Sequence, residues 1–259
     1  MPRVALISDI HGNTPALRTV LDAIGRDSVD LIVDLGDIAS GGVDPRGTLD
    51  VLRTRADIRH VRGNHERQLL TLPRERMGAS DRLASDQLTD SDRAWLSSLP
   101  TRLEFAPGAL AFHGAPDDDL CYLLETVTDD DTANHLREAT DEEVVGRLGA
   151  SVGPYRLFAC GHTHLQRSRV LADGSVVVNP GSVGWPAYED DAPAPHRVEA
   201  GSPQARYSIV ERSDDGWTVE HRAIDYDYDA AIALAHRNSR PDVAHALRTG
   251  LVGTQVLSA

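Results

Sequence analysis

The chain has 259 residues, of which 40 are acidic and 26 are arginine, and its formal net charge is −14. A chain this acidic is repelled by nucleic-acid phosphates, and an aromatic content of 5% offers few platforms for stacking bases. We therefore expect no nucleic-acid polymer as a partner. The length suits one large domain, and we predict a single domain over residues 1–259.

Cysteine content and hydropathy indicate the compartment. Cys121 and Cys160 are the two cysteines, and neither belongs to a CxxC pair, so a disulfide framework is not expected. The sequence shows no signal-peptide pattern at its start and no apolar run of transmembrane length. We expect a cytoplasmic protein without a membrane partner. The sequence predicts no particular oligomeric state.

Three strand-turn-helix units open the chain. Residues 3–8 are short and apolar, and a helix should follow at once, with Thr14 as its N-cap and Pro15 at its first position. Further strands are predicted at 31–33 and 58–61, each followed by a helix. Such a succession predicts a parallel sheet with right-handed crossovers.

The rest of the chain mixes strands and helices. Residues 74–100 are polar and helix-forming, and they carry no predicted chemistry. Strands are expected at 101–105, 109–112, 157–160, 169–171, 176–178, 206–211 and 217–224, with helices near 229–236 and 242–248.

Three segments lie outside this simple pattern. Residues 117–150 contain acidic runs and one helical pattern. This composition predicts either a cap or insertion over the site or a solvated peripheral helix pair. Residues 187–204 are rich in proline, alanine and acid, and we interpret them as a long loop. Residues 205–250 form a C-terminal strand-helix extension.

Potential metal ligands stand at the ends of the predicted strands. Alternate residues of an extended segment point the same way, so the Asp-x-His pair can converge on one ion. The His-x-His pair has the same spacing, but a tight turn between its two histidines can divide them between two ions. The residues at the strand ends are Asp9, His11, Asp37, Asn64, His65, His113, His162 and His164.

Two metal sites can be assembled from seven of these residues. One takes Asp9, His11 and His164, and the other takes Asn64, His113 and His162. Asp37 is shared, because a carboxylate can bridge two ions. Mixed imidazole and oxygen ligands suit divalent transition metals, and we expect manganese, with iron, zinc, nickel and cobalt as alternatives. Such a centre is locally cationic and should attract a small anionic substrate.

The motifs in chain order resemble those of the calcineurin-like metallophosphoesterase superfamily: Asp-x-His, Gly-Asp, Gly-Asn-His-Glu, a single histidine and Gly-His-x-His. The resemblance spans roughly residues 4–184. The stretches 8–13, 161–164 and 179–182 look most like the small bacterial and archaeal phosphodiesterase branch. The family implies the two metal sites above and an α/β fold, a four-layer α/β/β/α sandwich.

The implied function is hydrolysis of a small phosphodiester, nucleotide or phosphomonoester by a hydroxide held between two metal ions. His65, left off both metals, would protonate the leaving group or stabilise the transition state, and Glu66 would orient His65. Arg62 is a candidate phosphoryl contact or a plain surface arginine, and Asn13 is a candidate substrate contact or a capping residue.

Rival functions remain at this stage. A protein phosphatase or a dinucleoside polyphosphate hydrolase would need a different substrate-facing loop within residues 67–150. A non-catalytic scaffold on the same fold is a third alternative. The complete set of ligands and His65 argue against the scaffold.

Overall fold

The computed structural model describes residues 2–129, 133–214 and 216–253. The strands in these ranges are β1 (Arg3–Ile7), β2 (Leu31–Asp34), β3 (Ile58–His60), β4 (Arg102–Ala106), β5 (Ala109–Phe112), β6 (Glu125–Val127), β7 (Leu136–Glu138), β8 (Leu157–Ala159), β9 (Gln166–Val170), β10 (Val176–Pro180), β11 (Ala187–Asp190), β12 (His196–Glu199), β13 (Ala205–Ser213) and β14 (Gly216–Ile224). The α-helices are α1 (Thr14–Ile24), α2 (Pro45–Leu52), α3 (Asn64–Thr71), α4 (Ala79–Ser85), α5 (Asp90–Ser98), α6 (Asp141–Leu148), α7 (Tyr228–Arg237) and α8 (Pro241–Thr249).

Two five-stranded sheets form the centre of the fold. The first has the order β14-β13-β1-β2-β3, in which β1, β2 and β3 run parallel, so the three predicted strand-turn-helix units are confirmed. The second has the order β4-β5-β8-β10-β9, in which β5, β8 and β10 run parallel. The remaining four strands pair as two small hairpins, β6-β7 and β11-β12.

Alternating side chains divide the core into layers. On β1, Val4 and Leu6 join the apolar cluster between the two sheets, whereas Ala5 and Ile7 face the helices on the other side. The second sheet alternates in the same way, since Ala111 of β5 faces the first sheet and its neighbours face outward. The expected α/β/β/α sandwich is therefore confirmed.

Helices α1, α2, α7 and α8 bury their apolar faces on the first sheet. The apolar cluster between these helices and the first sheet includes Leu17, Leu49, Ile232 and Leu247, which are at most 7% exposed. The predicted C-terminal strands and helices are thus parts of the sandwich, because β13 pairs with β1 and α7 packs beside α1. In the described ranges, no helix is long and apolar enough to span a membrane.

Helix α1 begins one residue earlier than expected. The prediction that Thr14 is its N-cap is wrong, because Asn13 is the N-cap and its side-chain oxygen accepts from the backbone N–H of Ala16 at 3.1 Å. Asparagine and threonine both cap helices well, so two adjacent candidates cannot be separated by sequence.

The prediction of a long loop over residues 187–204 is also wrong, because this segment contains the hairpin β11-β12. Its buried positions are Ala187, His196 and Val198. Alanine and histidine on the inward face hide the period-two apolar pattern that normally indicates a strand.

Residues 117–150 supply the outer layer on the second sheet. Leu123, Val144 and Leu148 pack with Phe112 and Phe158 in the third apolar cluster. Helix α6 thus covers the sheet rather than the site, and it is the sole α-helix of the segment's described part, which lacks residues 130–132. The expected helix pair is not found there.

Adjacent valines on α6 test this layer. Val144 is fully buried and Val145 is 41% exposed. We expect Val144→Ala to lower the free energy of unfolding by about 2 kcal/mol, because buried methyl groups are lost and a cavity remains. The matched Val145→Ala variant should change it by less than about 0.5 kcal/mol. Urea unfolding measures both, and equal effects would contradict the burial of this face.

Candidate metal centre

The seven predicted ligands converge at one edge of the sandwich. Asp9 and His11 follow β1, Asp37 follows β2, and Asn64 begins α3 after β3. From the second sheet, His113 follows β5, and His162 and His164 follow β8. All seven are buried, with exposures from 0 to 9%.

Five of these residues have a left-handed backbone. The φ angles are +54° for Asp9, +49° for His11, +58° for Asp37, +70° for His162 and +57° for His164. This region costs a residue with a side chain about 1–2 kcal/mol, so surrounding contacts must hold the loops in place.

The first group comprises Asp9, His11 and His164, whose ligand atoms lie within 4.8 Å of one another. The Nε2 atoms of His11 and His164 are 3.0 Å apart, and Nε2 of His164 is 3.5 Å from Oδ1 of Asp9. The structure therefore brings together the three residues of the first predicted site.

The second group comprises Asp37, His113 and His162, again within 4.8 Å. Nε2 of His113 lies 3.2 Å from Oδ2 of Asp37 and 3.0 Å from Oδ1 of Asn64. Oδ2 of Asp37 is also 3.9 Å from Nε2 of His11. Asp37 thus stands between the two groups, where a bridging carboxylate is expected.

Backbone carbonyls fix how these imidazoles present their nitrogens. Nδ1 of His11 donates to the carbonyl of Ser40 and Nδ1 of His164 to that of Trp185, both at 2.5 Å. Nδ1 of His113 donates to the Leu35 carbonyl at 2.8 Å. A carbonyl can only accept, so in each neutral ring Nε2 carries the lone pair.

His162 has the opposite arrangement. Its Nε2 donates to the carbonyl of Leu120 at 3.2 Å, which leaves Nδ1 as the free nitrogen. Histidine ligands of metals commonly donate their second N–H to a carbonyl in this way, since the bond fixes the tautomer and the ring orientation.

The donor set fits a metal ion. With both Nδ1 atoms donating, the Nε2 atoms of His11 and His164 face each other across 3.0 Å, so a proton or a metal cation is needed between or beside them. Buried imidazole and carboxylate groups of this kind are the usual ligands of divalent transition metals.

The pKa values in the group follow from burial and charge. Burial, reinforced by His164, lowers the pKa of His11 to about 3, and burial with His113 lowers that of His162 to about 3. Burial acts in the same direction on His113, but Asp37 outweighs it and raises the pKa to about 10. The His113 imidazolium thus offsets part of the negative charge of the buried carboxylates.

His65 lies beside this centre and is held by Asp81. Its Nδ1 is 2.7 Å from Oδ1 of Asp81, which also accepts from the hydroxyl of Ser40 at 2.5 Å. Burial lowers the pKa of His65, but the negative charges of Asp37 and Asp81 have a larger effect in the opposite direction and raise it to about 9. His65 also comes within 4.8 Å of ligand atoms of His11 and Asp37.

The expected role of Glu66 is corrected. Its Oε2 accepts from the backbone N–H groups of Asp37 and Gly63, and its Oε1 accepts from that of Ile38. Glu66 therefore holds the Asp37 loop, while Asp81 contacts the imidazole of His65. Gly63 allows its backbone to lie close to the side chain of Asp37, since a Cβ at Gly63 would be 2.3 Å from Oδ1 of Asp37.

Asn13 and Arg62, the two candidate substrate contacts, do not line the cleft that opens onto the predicted ligands. The side chain of Asn13 is fully buried and donates to the Gly184 carbonyl and the Tyr226 hydroxyl, so its role is capping and packing. Arg62 lines a separate pocket of about 330 Å³ that His113 also borders.

A cleft of about 550 Å³ opens onto the ligands. Its walls include apolar and aromatic side chains, among them Leu120, Trp185 and Tyr188, and two arginines, Arg76 and Arg240. A cleft of this size accommodates a small organic molecule.

Several residues around the centre carry no sequence signal. Asp81 lies in the polar, helix-forming stretch 74–100, where many acidic residues look alike. Trp185 and Leu120 contribute backbone carbonyls, which any residue type has. No spacing pattern could have identified them.

Comparisons with known proteins identify the family. Residues 3–196 match the model of the calcineurin-like phosphoesterase superfamily domain. An uncharacterized protein from Methanocaldococcus jannaschii is 26% identical over 251 residues, which cover 92% of this chain and 94% of that protein.

Solved structures show the same fold. A metallophosphoesterase from Sphaerobacter thermophilus has a TM-score of 0.70 at 24% identity, and a hypothetical protein from Pyrococcus horikoshii has a TM-score of 0.72 at 19% identity. Each comparison covers 96% of this chain and 99% of the other. The resemblance predicted from the motifs is confirmed, and the chain belongs to the calcineurin-like phosphoesterase superfamily.

Proposed function

We propose that this protein is a phosphoesterase that hydrolyses a small anionic phosphoester with two divalent metal ions. The observation that carries the proposal is the convergence of buried Asp9, His11 and His164, whose ligand atoms lie within 4.8 Å of one another, with the two Nε2 atoms 3.0 Å apart and both Nδ1 atoms held by backbone carbonyls. A centre built around such a contact is arranged for a cation, and the superfamily is one of phosphoesterases.

The ligands divide into two sites. Asp9, His11 and His164 would hold one ion, and Asn64, His113 and His162 the other, with Asp37 between them. When bound, two divalent ions supply an activated water and offset the negative charge that develops on the phosphoryl oxygens. Manganese is the expected metal, with iron, zinc, nickel and cobalt as alternatives, since imidazole and carboxylate ligands accept all five.

His65 is the proposed general acid. It lines the cleft, and Asp81 fixes Nδ1 as the atom on the carboxylate, which leaves Nε2 for the departing oxygen of the substrate. Its raised pKa, about 9, keeps the proton on the ring at neutral pH. Nearby cations act in the opposite direction and bring the pKa toward the range in which a general acid works best.

The cleft indicates the shape of the substrate. A phosphoryl group at the ligands leaves most of the 550 Å³ for an organic group, which would contact Leu120, Trp185 and Tyr188. A phosphodiester, a nucleotide and a phosphomonoester with an apolar leaving group all meet this description.

A substrate screen tests the proposal. Protein reconstituted with Mn²⁺ is assayed on a generic aryl phosphodiester, an aryl phosphomonoester, cyclic nucleotides and dinucleoside polyphosphates. We expect turnover of at least one small ester that is abolished by chelation and restored by Mn²⁺. Preference for a dinucleoside polyphosphate would favour that alternative, and no turnover of any substrate by metal-loaded protein would favour a scaffold.

Asp37→Asn should weaken both metal sites together, because one carboxylate serves both groups. Metal analysis after Mn²⁺ loading should give about two ions per chain for the unaltered protein and fewer than one for the variant. Asp57→Asn, which changes an exposed aspartate paired with Arg55, is the matched control and should keep both ions. Loss of one ion alone would show that Asp37 does not bridge.

His65→Ala should keep both metal ions and lower kcat by about 100-fold on esters with poor leaving groups, because general acids contribute about 10²–10⁴-fold. Asp81→Asn should give a smaller loss of the same kind. An activated aryl ester is the internal control, since its leaving group needs no proton. Loss of an ion from His65→Ala would instead make His65 a metal ligand.

A further inference from the structure

Three side chains form a hydrogen-bonded chain beside the metal centre. The hydroxyl of Tyr122 lies 2.8 Å from the hydroxyl of Tyr188 and 2.8 Å from Nε2 of His196. Tyr122 comes from the segment before β6, whereas Tyr188 and His196 come from the two strands of the β11-β12 hairpin. The metal-ligand motifs include none of the three.

Both ends of this chain are backbone carbonyls. Nδ1 of His196 donates to the carbonyl of Ala194 at 2.8 Å, and the hydroxyl of Tyr188 donates to the carbonyl of His162 at 3.1 Å. Since a carbonyl can only accept, Nδ1 of His196 carries a proton, and in the neutral ring Nε2 accepts from the hydroxyl of Tyr122. The single proton of the Tyr188 hydroxyl is then shared between the Tyr122 oxygen and the carbonyl of His162, so Tyr122 connects the two segments.

The hydrogen-bonded chain of side chains ends on the loop that carries two metal ligands. The ring of Tyr188 packs against the ring of His164, with centroids 4.6 Å apart, and the ring of Tyr122 packs against that of His162 at 5.0 Å. His196 is 3% exposed and packs against Tyr122 at 5.3 Å. Each of the two histidines thus packs against the ring of one tyrosine.

This loop needs support because His162 and His164 both have positive φ angles. Asn179 donates to the carbonyl of Gly161 at 2.8 Å, and the backbone N–H of Ser182 donates to that of His164 at 3.3 Å. Tyr188 supplies the corresponding bond to the carbonyl of His162. Without it, the peptide after His162 would be freer to rotate out of its strained conformation.

We propose that Tyr122, Tyr188 and His196 are positioning residues that hold the Gly161–His164 loop in its metal-binding conformation. The inference rests on the proposed function, because it concerns the affinity of the same two ions. It also gives the β11-β12 hairpin and the segment before β6 a shared role, which is to support the ligand loop from outside the two central sheets.

Single-atom substitutions in the full chain test the proposal. Tyr188→Phe removes the hydroxyl on the His162 carbonyl and keeps the ring on His164, and Tyr122→Phe removes the link to His196. We expect Tyr188→Phe to weaken Mn²⁺ binding about 10-fold, and Tyr122→Phe to weaken it by a smaller measurable factor, since groups that orient ligands typically contribute 10–100-fold. Competition with a chelating dye measures the affinity.

Tyr207→Phe is the matched control. Tyr207 is 2% exposed on β13, and its hydroxyl donates to Asp27 at 2.8 Å, away from the ligands. We expect all three variants to lower the unfolding temperature of the metal-free protein to a similar extent, but only those at Tyr188 and Tyr122 to lower Mn²⁺ affinity.

The outcomes separate the two proposals. An unaltered Mn²⁺ affinity in Tyr188→Phe or in Tyr122→Phe overturns the positioning role, as does an equal loss in Tyr207→Phe. If the unaltered protein binds no Mn²⁺, the proposed function itself fails. A further loss in Tyr188→Ala relative to Tyr188→Phe would support a separate contribution of the ring on His164.

Discussion

The contact between the imidazoles of His11 and His164 organises the centre. Each ring is fixed from behind by a backbone carbonyl, so neither can turn its lone pair away from the other. Those carbonyls belong to Ser40 and Trp185, which lie in loops of different parts of the chain. The positions of these two loops therefore determine the chemistry of the site. The packing of the two sheets keeps the loops together.

Supporting contacts around the ligands repeat one physical theme. Glu66 gathers three backbone N–H groups around Asp37, Asp81 holds His65, and Tyr188 holds the carbonyl of His162. Left-handed backbone at five ligands is unfavourable locally, and these bonds oppose its relaxation. Part of the folding free energy is thus retained as a preformed arrangement of ligands, which lowers the reorganisation needed when a cation binds.

Much of the site could be predicted from sequence because potential ligands stand at the ends of successive predicted strands. Asp9, His11 and His113 each follow an apolar run, and their order matches a family pattern. The supporting residues could not be predicted, because Asp81 and Tyr188 act through tertiary contacts and carbonyls have no sequence signature. Proximity in sequence favours a contact between Glu66 and the neighbouring imidazole, whereas the carboxylate turns back to the Asp37 loop. The hairpin at 187–199 has no clear strand pattern, because Ala187 and His196 occupy its inward face.

Each ligand group draws on both sheets. Asp9 and His11 follow a strand of the first sheet and His164 follows one of the second, while Asp37 and His113 divide in the same way. A cation held by such a group joins the two sheets as a cross-link would, and its binding free energy adds to that of their packing. Metal occupancy would then add to the free energy that keeps the two halves of the sandwich docked.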